Sequence, residues 1–184
     1  MLIVAFARPE GMFSSVVNKV AAVLTRGQFC HCEIAFSWTR AQMEDFLTTI
    51  TGCQRLRDYK RHLYNDRVMI SFYVLFGTRV SFKFLTPLFM DPFFATYDHH
   101  WEQVKAQFSF EEEKRIARFL LSQEKKGYDT MGAWMCWLPL RKKQSTYEKY
   151  FCSQLCACAL NHAVKMLPNP ASLSPNSLYK HLLH

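Results

Sequence analysis

Runs of apolar residues and alternating apolar and polar positions predict several β-strands. Residues 2–7 form a continuous apolar run that is typical of a buried strand. Residues 68–76 and 79–85 read as two strands of a hairpin, joined by a two-residue turn that begins with Gly77. Residues 101–108 predict a further strand. These short strands, separated by turn signals, favour an antiparallel sheet.

The stretch FCHCEIAF, residues 29–36, also reads as a strand. Side chains alternate between the two faces of a strand, so Cys30 and Cys32 share one face and His31 and Glu33 share the other. A histidine and a glutamate are therefore predicted side by side on one surface of the sheet.

Helical spacing of apolar residues predicts the remaining elements. We expect helices at residues 14–24 (capped by Ser14 or Ser15), 40–51, 109–123, 152–167 and 173–183 (capped by Ser174). The third begins with a capping box formed by Ser109 and Glu112, and the last has Pro175 at its first position. Residues 54–66 are basic and polar, and residues 86–98 read as an aromatic loop. This inventory is mixed α+β.

Length and composition predict one folded domain over residues 1–184. Hydrophobic residues make up 49% and charged residues 21% of the chain, which excludes a disordered protein. The net charge of +8 favours anionic partners, including an anionic membrane surface. Because no stacking aromatics accompany the scattered basic residues, we expect no specific nucleic-acid partner.

Cysteine usage predicts a reduced, cytoplasmic protein. The chain has seven cysteines, and its first residues lack the basic region of a signal peptide. The longest apolar stretch, VMISFYVLFG, is too short to span a bilayer. We therefore expect thiols rather than disulfides.

The segment YFCSQL places Cys152 at the start of the predicted helix 152–167. Helix N-termini stabilise a thiolate through the helix dipole and unpaired N–H groups. A nucleophilic cysteine also needs a base and a group that orients the base. His31 and Glu33 could supply both, although a carboxylate on a neighbouring strand would orient the ring more conventionally.

Structural explanations compete with these roles. Cys152 could be a buried thiol at a helix start, His31 a hydrogen-bonded histidine on a half-buried strand, and Glu33 a solvated strand residue. We interpret Cys156 and Cys158, later in the same helix, as packing residues.

A zinc site is a further alternative, because Cys30, Cys32, Cys152 and Cys156 could form a Cys₄ set. The spacing argues against it: C-x-C on a strand sends both thiols away from His31, and C-x-x-x-C on a helix is not a zinc knuckle. We expect no metal and no organic cofactor.

Four motifs, in order along the chain, resemble those of the permuted NlpC/P60-like (papain-fold) cysteine hydrolases. FCHCEIAF resembles their SHVEI strand, GYDTMG their pYDxxG element, YFCSQL their yyCSEL helix start, and LSPNSLY their tPsdL ending. The group includes the bacterial YaeF/YiiX-like proteins, the poxviral G6-like proteins and, more distantly, the lecithin:retinol acyltransferase-like proteins.

The resemblance implies a permuted papain-like fold, in which an antiparallel sheet packs against helices and the histidine strand precedes the cysteine helix. It implies Cys152 as nucleophile, His31 as base, Glu33 as the third polar group, and Tyr128 near the site as a residue that helps to hold an oxyanion. It also favours a viral or bacterial protein, with the host cytoplasm as location if viral.

Two departures from the family pattern leave the catalytic groups in place: Gln154 stands where glutamate is commoner, and Cys32 where an apolar residue is usual. The expected function is a cysteine peptidase, amidase or acyl hydrolase acting on an amide- or ester-containing substrate. The alternatives are a lipid-directed acyltransferase or phospholipase-like enzyme at a membrane surface, and a catalytically idle papain-like binding module.

Overall fold

The computed structural model describes residues 1–10, 19, 22–23, 27–75, 77–85, 100–136, 148–164 and 167–183. The predicted loop 86–98 lies outside the described residues, as does the predicted helix 14–24 except for residues 19, 22 and 23. The described part is mixed α+β, as the sequence pattern predicts.

The centre of the fold is a five-stranded antiparallel sheet with the strand order β4-β3-β2-β1-β5. Its strands are β1 Leu2–Ala7, β2 His31–Thr39, β3 Arg67–Tyr73, β4 Ser81–Leu85 and β5 Trp101–Ala106. The predicted antiparallel sheet is therefore confirmed.

Six helices are present in the described residues. They are α1 Arg40–Thr48, α2 Gln54–Arg57, α3 Phe110–Ser122, α4 Thr130–Met135, α5 Cys152–Ala163 and α6 Pro175–Leu183. A small parallel pair, β6 Gly127–Tyr128 and β7 Lys149–Tyr150, leads into α4 and α5 respectively. Within the described ranges, no helix has the length and apolarity to cross a membrane.

Side-chain caps begin several of these helices, among them α1, α3 and α4. The predicted capping box of Ser109 and Glu112 starts α3. Helix α5 ends at Ala163 rather than at residue 167. The Asn161 side chain hydrogen-bonds the backbone of Leu167 instead: its oxygen accepts from the Leu167 N–H at 2.8 Å, and its nitrogen donates to the Leu167 carbonyl at 3.0 Å.

The β3–β4 hairpin is confirmed, but its predicted two-residue turn is wrong. Strand pairing stops at Tyr73 and Ser81, so the connection is longer. The N–H of Thr78 donates to the carbonyl of Leu75 at 2.9 Å, and Gly77 inside this turn has a φ of +73°. A glycine suits that left-handed backbone because it has no Cβ.

The two faces of the sheet differ in chemistry. One face, which carries Cys32, Ile34 and Phe36, forms the main core with α3 and α5. On the opposite face, the described residues form a small apolar cluster, of which Ala35 is a member. Glu33 lies on that second face, which is the face the alternation in FCHCEIAF predicts.

Candidate active site

Cys152 is the first residue of α5 and is 5% exposed. The helix ladder begins with the Leu155 N–H donating to the Phe151 carbonyl at 3.0 Å, so the N–H groups of residues 152–154 have no partner inside the helix. The hydroxyl of Ser153 anchors this end by donating to the Leu173 carbonyl at 2.7 Å. The predicted position of Cys152 at a helix start is confirmed.

The start of β2 is held in place by Asn176 of α6. The Phe29 N–H donates to Asn176 Oδ1, and Asn176 Nδ2 donates to the Phe29 carbonyl, both at 2.9 Å. Asn176 is buried, and this pair of hydrogen bonds positions the backbone two residues before His31. The motif LSPNSLY therefore contributes a positioning residue that its sequence pattern did not identify.

His31, the first residue of β2, is 5% exposed and is oriented by Glu33. His31 Nε2 lies 3.3 Å from Glu33 Oε1. The edge of Trp101, from β5, packs against the imidazole with the ring centroids 6.1 Å apart. The ring is therefore held on one side by a carboxylate and on another by an indole.

Glu33 receives two further contacts across the sheet. The Ser71 hydroxyl, on β3, donates to Glu33 Oε2 at 2.5 Å. Lys83 Nζ, on β4, lies 3.1 Å from the same oxygen. Ala35, Ser71 and Lys83 face one another in the strand register, so they share the face of Glu33. The carboxylate is 4% exposed but well partnered.

The Cys152 sulfur lies beside the edge of β2, where it contacts both His31 and Cys32. The groups that act on its pKa through hydrogen bonding are the Cys32 thiol, the His31 side chain and the Cys32 backbone, so these groups lie next to the sulfur. Pairing of β2 with β3 begins only at Ile34, and a strand N–H points in the plane of the sheet. A sulfur bonded to the Cys32 N–H therefore lies beside the strand, within reach of side chains on both faces.

These contacts shift the two pKa values in opposite directions. The hydrogen bond from the Cys32 thiol, together with the contacts with His31, holds the pKa of Cys152 well below its usual range, although burial opposes this. Burial would lower the pKa of His31, but Cys152 and Glu33 outweigh it and raise the pKa of His31 to about 10. Both shifts favour a thiolate on Cys152 beside an imidazolium on His31.

Charge alternates along the whole cluster. Burial would raise the pKa of Glu33, but the hydrogen bond with His31 and the charge of Lys83 lower it to about 2. The sequence of charges is thus negative on Cys152, positive on His31, negative on Glu33 and positive on Lys83. Each buried charge has an opposite neighbour, which offsets the cost of removing it from water.

Tyr128, in the short strand β6, is half-buried. It pairs with Tyr150 of β7, and Tyr150 lies two residues before Cys152 in the chain. Burial and the negative charge of Cys152 raise the pKa of the Tyr128 hydroxyl, so it stays protonated at neutral pH. The structure places Tyr128 in the electrostatic neighbourhood of Cys152, and a protonated phenol can donate a hydrogen bond.

Cys156 packs in the main core, as expected, and Cys32 lies in the same core. Both are buried in the core, but the Cys32 thiol contacts Cys152 directly and lies 3.7 Å from the Cys156 sulfur. Strand alternation correctly separates Cys32 from His31. It does not show that Cys152, lying beside the strand edge, contacts both residues.

Sequence reasoning also missed Ser71 and Lys83 as partners of Glu33. The alternation in residues 79–85 places Lys83 on a polar strand face, and the correct hairpin register would have aligned it with Ser71.

All seven cysteines lie in the described residues, and none forms a disulfide. Among the described side chains, no group of three or more histidine, cysteine, aspartate or glutamate residues is arranged to hold a metal ion. Comparisons with known protein families, with curated proteins and with solved structures find no match for this chain.

Proposed function

We propose that the protein is a cysteine-dependent hydrolase that cleaves an amide or ester bond through an acyl-cysteine intermediate on Cys152. One observation supports this above all others. The sulfur of Cys152, at the first residue of a helix, contacts the imidazole of His31, and that ring is in turn held by the Glu33 carboxylate. This is the nucleophile, base and orienting group that thiol-based acyl transfer requires.

In the proposed acylation step, the Cys152 thiolate attacks the carbonyl carbon of the substrate and the carbonyl electron pair moves to oxygen. The N–H groups of residues 152–154 are available to stabilise this oxyanion, and the Tyr128 hydroxyl is a further donor nearby. The His31 imidazolium donates its proton to the leaving amine or alcohol. The tetrahedral intermediate then collapses to a thioester on Cys152.

In the proposed deacylation step, neutral His31 takes a proton from water as the water oxygen attacks the thioester carbonyl. The thiolate leaves, and the thiolate–imidazolium pair is restored. Glu33 keeps the imidazole oriented and stabilises its positive charge in both half-reactions. An alcohol or amine in place of water would make the same cycle an acyl transfer.

The proposal includes membership of the permuted NlpC/P60-like group. Its support is the order of the elements, since the histidine strand β2 precedes the cysteine helix α5, and the antiparallel sheet that carries His31. Seven cysteines without disulfides are typical of a reducing compartment, and we retain the cytoplasm as the proposed location.

A lipid-directed version of the activity is the second candidate. Met131 and Trp134 of α4 are 68% and 38% exposed, and they line a cavity of about 460 Å³ together with Tyr128. Lys149 lies on the same cavity wall. An apolar cavity beside a site residue suits an acyl chain or an apolar side chain, and the net charge of +8 favours an anionic surface.

Trapping of the acyl-enzyme tests the proposal. The protein would be mixed with p-nitrophenyl esters of short and long fatty acids, quenched with acid and analysed by mass spectrometry. We expect one acyl group on the tryptic peptide of residues 150–165, and none on that peptide in Cys152→Ala. His31→Ala should acylate more slowly by at least about a hundredfold, because proton transfer by a positioned side chain contributes that much.

The substrate branches are separated by a second set of assays. Cleavage of peptide libraries with no activity on anionic phospholipid vesicles would remove the lipid version, and the opposite result would remove the peptidase version. If Cys152 stays unmodified with every ester in a folded protein, the proposed enzymatic function is contradicted, and a catalytically idle binding module is the reading that remains.

A further inference from the structure

Cys32 is a buried thiol that takes no covalent part in the proposed hydrolysis. It is 1% exposed and faces the side of α5 that carries Cys152 and Cys156. Those two cysteines are four residues apart on the helix, so they lie on the same helix face. The Cys32 thiol donates to the sulfur of Cys156 at 3.7 Å, and Cys152 lies within hydrogen-bonding reach of the same thiol.

Cys30 and Cys158, which are near Cys32 and Cys152 in the sequence, lack this contact with Cys152. The Cys30 thiol donates to the carbonyl of Ala7 at 3.5 Å, and only its charge acts on Cys152. Cys158 is half-buried, and the cysteine that influences it is Cys156. Cys32 is therefore the thiol placed to react with Cys152.

We propose that Cys32 is a resolving cysteine: it converts an oxidised Cys152 into a reversible Cys32–Cys152 disulfide. The oxidant is a hydroperoxide. In the first step the Cys152 sulfur attacks the distal peroxide oxygen, the O–O bond breaks, and the alkoxide or hydroxide leaves and is protonated. Sulfur loses two electrons and becomes a sulfenic acid, while the peroxide is reduced to an alcohol or water.

In the second step the Cys32 sulfur attacks the sulfur of the Cys152 sulfenic acid. The S–S bond forms, the S–O bond breaks, and the hydroxide leaves with the Cys32 proton as water. An external dithiol then restores both thiols by exchange. The nucleophile is thus switched off under oxidation and recovered on reduction.

The electrostatics of the cluster favour this order of events. Cys152 is the thiolate and is therefore the sulfur that peroxide oxidises first. Burial, followed by the hydrogen bonds with Cys152 and Cys156, raises the pKa of Cys32 and keeps it a thiol. Oxidation removes the negative charge of Cys152, so Cys32 loses its proton more readily once the sulfenic acid has formed.

This inference goes beyond the proposed function, because it requires only a reactive Cys152 thiolate and no substrate. The experiment exposes the reduced full-length chain to a small excess of hydrogen peroxide, blocks remaining thiols with iodoacetamide, and maps non-reduced tryptic peptides. Cys30 and Cys32 fall in one peptide, residues 27–40, and Cys152, Cys156 and Cys158 in another, residues 150–165.

The expected product is a cross-link between these two peptides that persists in Cys30→Ser and Cys158→Ser. It should disappear in Cys32→Ser, where Cys152 should instead gain oxygen atoms. Dithiothreitol should restore Cys152 alkylation in the parent chain, whereas a sulfinic acid in Cys32→Ser would stay unreactive.

Three results would overturn the proposal. They are a parent chain that accumulates sulfinic acid on Cys152 with no cross-link, a cross-link that survives Cys32→Ser, and one that joins Cys32 to Cys156 and survives Cys152→Ala. The first of these results is measured on the parent chain, so it can contradict the proposal even if a variant fails to fold. Acyl trapping on ester substrates is a separate measurement. The disulfide can therefore form in a protein without hydrolase activity, and an active hydrolase can fail to form the disulfide.

Discussion

Replacement of Glu33 by glutamine removes the central negative charge of the cluster while keeping its shape. The amide oxygen can still accept from His31, and the amide nitrogen, in place of Oε2, can donate to the Ser71 hydroxyl, so the change is chiefly electrostatic. In the parent chain the pKa of Glu33 is lowered from 4.5 to about 2. At about 1.4 kcal/mol per pH unit, this corresponds to roughly 3 kcal/mol of folding free energy.

The sign of this contribution follows from the direction of the shift. A carboxyl whose pKa is lower in the folded state stabilises the fold above its unfolded pKa of 4.5, and the stabilisation is lost as the pH falls toward about 2. Glu33→Gln cannot titrate, so it lacks this loss. The parent should therefore be more stable than Glu33→Gln near neutral pH by roughly 3 kcal/mol, and the difference should vanish near the folded pKa.

The assay is urea unfolding followed by circular dichroism at a series of pH values, with the free energy of unfolding extrapolated to water. Ser71→Ala is the matched control, because it removes one hydrogen bond to Glu33 but keeps the charge. It should cost roughly 1.5–3 kcal/mol near neutral pH, as for loss of a hydrogen bond to a charged group, but its own loss of stability in acid should persist. The reasoning is refuted if Glu33→Gln loses as much stability as the parent between pH 4.5 and pH 2.

Three further changes test the remaining contacts. Cys32→Ala removes the thiol that donates to Cys152, so alkylation of Cys152 at pH 6 should slow by about tenfold, the effect of losing a hydrogen bond to a charged group; an unchanged rate would contradict the contact. Asn176→Ala leaves the backbone N–H and carbonyl of Phe29 unpaired, so the free energy of unfolding by urea should fall by roughly 2–4 kcal/mol; a value equal to that of the parent would show that β2 does not depend on this residue. Tyr128→Phe should slow acylation by p-nitrophenyl esters at least about tenfold, as expected for loss of an oxyanion donor. It should leave alkylation of Cys152 unchanged, and equal acylation rates would remove Tyr128 from the mechanism.

Local patterns were sufficient for the elements that carry the candidate site. The alternation in FCHCEIAF correctly placed His31 and Glu33 on one strand face, and the helix start in YFCSQL correctly placed Cys152. Both are short-range properties, since strand pleating and helix termini depend on neighbouring residues in the chain.

Contacts between distant elements were not predictable in the same way. Asn176 reaches Phe29 across 147 positions, and Cys32 reaches Cys156 across 124. Which side chains meet across such distances depends on where β3 stops pairing with β2 and on how α5 packs against the sheet. The predicted two-residue turn at Gly77 was wrong for a related reason. A glycine with positive φ fits several turn types, and the strand register decides among them.

The central claim is that hydrogen bonding by Cys32 and pairing with His31 together favour the thiolate form of Cys152. Its most direct test is the pH dependence of Cys152 alkylation by iodoacetamide, with each thiol followed by mass spectrometry. His162→Ala is the matched control, because this exposed histidine lies in the last turn of the same helix.

In the parent and in the control, we expect Cys152 to react faster than the half-buried Cys53 at pH 6, and the profile to reach its plateau well below pH 9. In His31→Ala the reaction at pH 6 should slow by at least about tenfold, because each unit of rise in the pKa lowers the thiolate fraction tenfold. A parent in which Cys152 reacts no faster than Cys53, or a His31→Ala variant with an unchanged profile, would contradict the account.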